Sequence, residues 1–179
     1  MNALANPEVG KYLNEYFVSS FQKVATFRIV GGQKQGGNVA SYFCAPDGRV
    51  LHVVPGPVDA ATLLGEAKWV VETTKQAMAA SKGDGGTFKA FFRKAHADRL
   101  RQEYGLTIDL GSLPAKASSA AALTSLFDKG ATARNLANQG RVHLLLTAAP
   151  LVKIEQIYKA VFQNILGEKV STNPVDQKG

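Results

Sequence analysis

The chain reads as an α/β protein, with a small mixed sheet in its first half and a helix-rich C-terminal extension. Three observations predict this. Two short β-rich runs, 39–44 and 49–54, flank a Pro-Asp-Gly turn. Apolar residues recur at helical spacing over 59–80 and through most of the chain after residue 87. Hydrophobic residues make up 45% of the 179 and charged residues 20%, which suits a globular chain and not a disordered one. That length holds one domain with an extension and buries a core without staples.

The elements follow in order. Asn6-Pro7-Glu8 opens a short helix: Asn caps, Pro suits the first turn, and Glu complements the positive end. Val9, Tyr12, Leu13 and Tyr16 keep helical spacing, and the helix gives way near Phe17-Val18. From Phe17 to Val30 β-formers predict extended chain. Gly31 to Asn38, half glycine, predicts a loop. Its spacing fails the Walker pattern, so it reads as a connector and not a phosphate cradle.

Val39–Cys44 and Arg49–Val54 form an antiparallel hairpin about Pro46-Asp47. Asp59 then caps a helix to about residue 80, with Leu63, Ala67, Val70, Val71, Thr74 and Met78 on one face. Residues 81–86 form a Gly-rich hinge. Thr87 starts a helix to about Tyr104, with Phe88, Phe91, Phe92 and Ala95 on one side and the pairs Lys94–Asp98 and Arg99–Glu103 on another. Ser118 or Ser119 caps a helix to about Asn138. Arg141–Ala148 is a short buried helix, with a strand over 142–146 as the alternative. Ile154, Ile157, Tyr158, Val161 and Ile165 define a last amphipathic helix, and 171–179 is a polar tail.

The run Val39-Ala40-Ser41-Tyr42-Phe43-Cys44-Ala45-Pro46-Asp47-Gly48-Arg49-Val50-Leu51-His52, followed by Gly56 and the helix start Val58-Asp59-Ala60, resembles the second half of a thioredoxin-like domain. The likeness covers roughly residues 6–80. It implies a thioredoxin-like part over 1–82; the residue pattern beyond it, which resembles no family, reads as a helical part over 87–170 and a flexible tail over 171–179. The family's Cys-x-x-Cys is missing, and Val39 stands where the family places its cis-proline. No dithiol chemistry carries over, and the resemblance implies a fold that has lost or changed its function.

No run approaches the ~20 apolar residues of a membrane span, so no transmembrane segment is expected. The start, Met1 to Pro7, lacks a basic region and an apolar core, so no signal peptide is expected there. It reads like the middle of a helical unit, so the expectation is a trimmed piece of a longer product, with no compartment assigned.

Four features carry chemistry. Cys44, the single cysteine, excludes a disulfide framework and a Cys-rich metal site. It is a weak redox candidate and reads first as a small buried hydrophobe. His52 is a second weak catalytic candidate. Alternation sets it on a face with Val50 and Val54, half-buried, and the hairpin register turns it away from Cys44. The histidines at 52, 96 and 143 contain no His-x3-His or similar pair, so no metal site and no cofactor are expected. From Lys75 to Arg101 seven cations and two acids carry +5 of the total +7. Lys75, Lys82, Lys89, Arg93, Lys94 and Arg101 are the anion-binding candidates.

The leading expectation is a non-catalytic thioredoxin-like binding or scaffold protein with a protein partner of unknown kind. A single-thiol redox protein using Cys44 is one alternative. The other is a nucleic-acid or anionic-surface binder using the basic helix, with nucleic acid the less favoured partner. The last helix is expected to bury its stripe within its own chain, which favours a monomer over a homodimer.

Overall fold

The computed structural model describes residues 3–22, 28–30, 33–35, 38–111, 136–168 and 170. The architecture is mixed α/β and mostly helical. A 3-10 turn at Ala3–Ala5 leads into α1, Pro7–Tyr16. Asn6 caps α1 as its type predicts, its side chain accepting from the amides of Glu8 and Val9. Strands β1, Arg28–Val30, and β2, Gln33–Gln35, pair antiparallel. The expected loop over 31–38 therefore contains a short strand. In that pairing Val30 stands opposite Gln33. The expected helix from Ser118 lies outside the described residues, as does the tail after 170.

The central element is the hairpin of β3, Ala40–Cys44, and β4, Val50–Pro55. Among the described residues strands pair only antiparallel, so the coarse α/β expectation holds and the mixed sheet is absent from this part of the chain. Phe43 pairs with His52, yet Cys44 pairs with Val50. Leu51 is thus an extra residue, a bulge that interrupts alternation. Val50 and Val53 fall in one core cluster with Tyr42 and Cys44, while Val54 and Phe43 fall in another. The expected common face of Val50, His52 and Val54 is corrected by this bulge: His52 keeps company with Phe43 and Val54, and Val50 does not.

Each face of the hairpin is covered. One packs on α4, Asn138–Ala148, on α5, Ile154–Ala160, and on the π-helical turn Val161–Ile165 that continues it. The other packs on α1, on α2, Ala60–Ser81, and on α3, Gly85–Tyr104. The chain after Pro150 is also tied to the hairpin turn: Val50 N–H donates to Val152 (2.8 Å) and Ile154 N–H to Gly48 (3.1 Å).

Helix α2 starts at the Asp59 cap as expected, but its buried face is rotated. Leu63, Glu66, Ala67, Val70, Thr73 and Ala77 are buried, and Met78 is exposed. The seam advances by threes and fours through 63, 66, 70, 73 and 77. Two of its positions carry polar residues, so a reading that follows apolar types drifts onto Met78. The hinge at 81–86 is a tight turn. Lys82 takes a left-handed conformation (φ 49°), Gly83 follows at φ 91°, and Asp84, not Thr87, caps α3 by accepting from the Thr87 amide. The expected ion pairs of α3 form, Lys94–Asp98 at 2.5 Å and Arg99–Glu103 at 2.5 Å. Residues 138–148 are helical, which removes the strand alternative.

The last apolar stripe is buried within the chain: Ile157 is 0% exposed, with Ala160, Val161 and Ile165 beside it. Ile157→Ala should therefore cost about 2–5 kcal/mol. Thermal melts of the variant should fall well below the parent by the same margin at micromolar and at hundred-micromolar protein. A loss that grows on dilution would place the stripe in an interface between copies instead.

Candidate functional site: a buried three-histidine cluster

Four elements converge beneath the hairpin. His52 comes from β4, Glu66 and Trp69 from α2, His96 and Arg99 from α3, and Gln139 and His143 from α4. Local sequence explains each placement. His52 pairs with Phe43 across the hairpin. His96 continues the buried line Phe92, His96, Leu100, spaced by four along α3. His143 sits inside the fully buried run Val142 to Ala148. The three imidazoles are 0%, 1% and 0% exposed, so the half-buried placement expected for His52 is corrected. Each offers one nitrogen, and these three atoms lie within 4.8 Å of one another.

Hydrogen bonds fix the state of two rings. His52 Nε2 lies 2.9 Å from Glu66 Oε2 and His96 Nε2 lies 2.9 Å from the Leu51 carbonyl. Both acceptors lack a proton, so both rings carry theirs on Nε2 and turn a lone pair on Nδ1 inward. His96 Nδ1 and His143 Nδ1 stand 2.9 Å apart. With the lone pair on His96, His143 donates from Nδ1, and its Nε2 becomes a lone pair too. His52 Nδ1 and His143 Nε2 are buried without a hydrogen-bond partner among the described residues. Gln139 Nε2 donates to the Val53 carbonyl at 3.1 Å and lies 3.3 Å from His52 Nε2.

Glu66 is held by a fork from Arg99, with Nη1 to Oε2 at 2.5 Å and Nη2 to Oε1 at 2.9 Å. Burial pushes its pKa upward, but the hydrogen bonds from His52 and Arg99 and the Arg99 charge win and hold it at about 2. Burial pushes all three histidines the other way. His52 is lowered despite Glu66, His96 falls to about 3, and His143, also repelled by its neighbours, falls well below the usual range. The cluster is thus three neutral bases beside an ionised carboxylate. Trp69 closes it, edge-on to His52 at 5.0 Å, 5.1 Å from His96 and 6.0 Å from His143. The Arg99 guanidinium stacks on the same ring at 5.0 Å.

The other candidates lie elsewhere. Cys44 ends β3 on the opposite face of the hairpin from His52, as the register predicts. It is half-buried, and burial, with Glu155 and Asp47, pushes its thiol up to about 11. Arg49, the cation across the turn, binds Asp47 at 2.6 Å instead. The basic segment is partly spent within the chain. Lys94 and Arg101 share Asp98 (2.5 and 3.6 Å), Lys75 stands 3.9 Å from Glu72, and Arg93 donates to the Ala148 carbonyl at 3.4 Å. Lys82 and Lys89 are exposed.

Sequence reasoning named His52 and missed its partners. Metal-ligand spacing is a local signal, and these ligands are 44 and 47 residues apart. A usable signal did exist. Each histidine stands at a core register position of a different element, flanked by apolar residues. Among the described residues no helix is long and apolar enough to cross a membrane. No protein-family model, curated protein or solved structure matches this chain.

Proposed function

We propose that this chain is a binding protein whose ligand is a transition-metal ion held by His52, His96 and His143. The observation that carries the reading is the convergence of three neutral imidazoles, one nitrogen from each within 4.8 Å of the others. Two further features support it. Glu66 and the Leu51 carbonyl orient His52 and His96 from behind, as outer partners of metal-bound imidazoles do. His52 Nδ1 also lacks a hydrogen-bond partner among the described residues, an arrangement that costs stability until something accepts its lone pair. Nitrogens sharing one ion at about 2.0–2.1 Å lie roughly 3.3–3.6 Å apart, so the 2.9 Å approach of His96 Nδ1 and His143 Nδ1 needs a small opening, and the His143 proton moves from Nδ1 to Nε2 to free the ligand lone pair.

The wider frame is a non-catalytic thioredoxin-like binding protein. The order β3, Pro-Asp-Gly turn, β4, Gly56 and Asp59-capped α2 supports it. A thiol pushed up to about 11 weighs against the Cys44 alternative.

Trp69, the single tryptophan, touches all three rings and reports on the site. Titrating chelator-treated protein with zinc, cobalt(II), nickel and copper should change its fluorescence with an endpoint of one ion per chain. Saturation at a hundred times Kd should raise stability by about 2.7 kcal/mol. If no ion moves either the fluorescence or the melting temperature, the cluster is a structural hydrogen-bond network.

A further inference from the structure

Charge and coordination select among the ions this centre accepts. Glu66, Arg99 and Glu103 act on His52, Arg99 and Glu66 on His96, and Arg99 on His143. Glu103 is exposed, so the buried charges beside the rings are Glu66 and Arg99. With neutral imidazoles the buried assembly therefore carries no net charge. A monovalent cation leaves one uncompensated positive charge. A divalent ion leaves two among side chains that are 0–1% exposed. The cost of placing an ion there grows with the square of its charge, so the divalent ion is penalised about fourfold more before any ligand bond forms.

Coordination points the same way. Zinc in a closed site takes four ligands. Three imidazoles are present, and the one carboxylate beside them, Glu66, already receives both N–H groups of the Arg99 fork. Recruiting it would take the fork's acceptor from a guanidinium whose side chain is 16% exposed, leaving only its Nε held, by Glu103. Copper(I) is a closed-shell monovalent ion that is satisfied by three nitrogens, and imidazole is among the ligands that suit copper. Building on the metal-centre reading above, we propose that the three-histidine cluster selects copper(I) over divalent ions and shields it from solvent. The proposal involves no electron transfer.

The full chain, stripped of metal under anaerobic conditions, should be titrated against the copper(I)–bicinchoninate complex and, separately, against zinc with a chromophoric chelator. The expected result is one copper(I) withdrawn per chain, with zinc bound at least about a hundredfold more weakly. X-ray absorption at the copper edge should show nitrogen neighbours only, a reading that requires no variant to fold. Cys44→Ser should keep the full stoichiometry, because Cys44 lies on the other face of the hairpin. Sulfur in the copper shell, or loss of binding in C44S, would assign copper to the thiol and overturn the proposal. Zinc bound as tightly as copper(I) would overturn the selectivity while leaving the metal centre standing. If neither ion binds, both readings fall.

Discussion

Lowering the pH from 7.5 to 5 should destabilise the metal-free protein by several kcal/mol, well before its carboxylates titrate. In the fold His96 is held to about 3 and His143 is lowered further, so both stay neutral. Unfolded, each binds a proton below about 6.5. The unfolded state then carries more protons, so stability is complete above about pH 6.5 and falls by about 1.4 kcal/mol per pH unit per histidine below it. For His96 the loss runs from about 6.5 down to about 3, and at pH 5 it is about 2 kcal/mol. His143 adds a loss in the same sense. His52 adds less, because Glu66 offsets part of its burial. A small domain holds about 5–15 kcal/mol in total, so acid unfolding above pH 4 is the expected consequence.

Urea denaturation at half-unit pH steps measures this slope. The window separates causes: Glu66, held at about 2 against an ordinary 4.5, contributes stability that is lost only as pH falls through that lower range. A slope of less than one proton between pH 6.5 and 5 would be incompatible with buried neutral histidines. So would an imidazole NMR resonance that titrates near 6.5 in the folded chain.

What the sequence reveals, and what it hides, follows from the reach of each signal. Asn6, Asp59, the Pro-Asp-Gly turn and the i,i+4 pairs of α3 act within a few residues, and each was readable at its position. The bulge at Leu51 was not. It appears only when β4 must present Val50 to one core and Val54 to the other. The α2 seam was misread because Glu66 and Thr73 occupy core positions. Glu66 is buried there for a reason 33 residues away, the Arg99 fork on α3. The cluster is the extreme case, since His52, His96 and His143 meet only after three helices have packed on one hairpin. Each buried histidine was locally ambiguous, and three of them in core registers together were the clue.

The Glu66–Arg99 pair sustains this arrangement, and Arg99→Met should cost about 3 kcal/mol, toward the lower end of the ~3–5 expected for a broken buried pair. The lower end applies because the two side chains are 10% and 16% exposed, not fully sealed. The loss arises less from the missing attraction than from the carboxylate left behind, which keeps His52 as a donor but loses its counter-charge. Adding Glu66→Gln should restore much of that stability. The amide oxygen still accepts from His52 Nε2, and no charge is stranded. The double-mutant cycle should therefore show a coupling of roughly 1.5–3 kcal/mol. pH supplies a second readout. Without Arg99, burial dominates and the Glu66 carboxyl rises above its unfolded value. The Arg99→Met penalty should then be full at pH 7 and shrink toward pH 4, as Glu66 takes up a proton in the fold. Arg99 also helps to hold the three histidines below their ordinary range, so the gap between the stability curves contains a histidine contribution beside that of Glu66. A gap below about 0.5 kcal/mol at neutral pH, the usual size of a surface substitution, would show that the pair does not hold the cluster together.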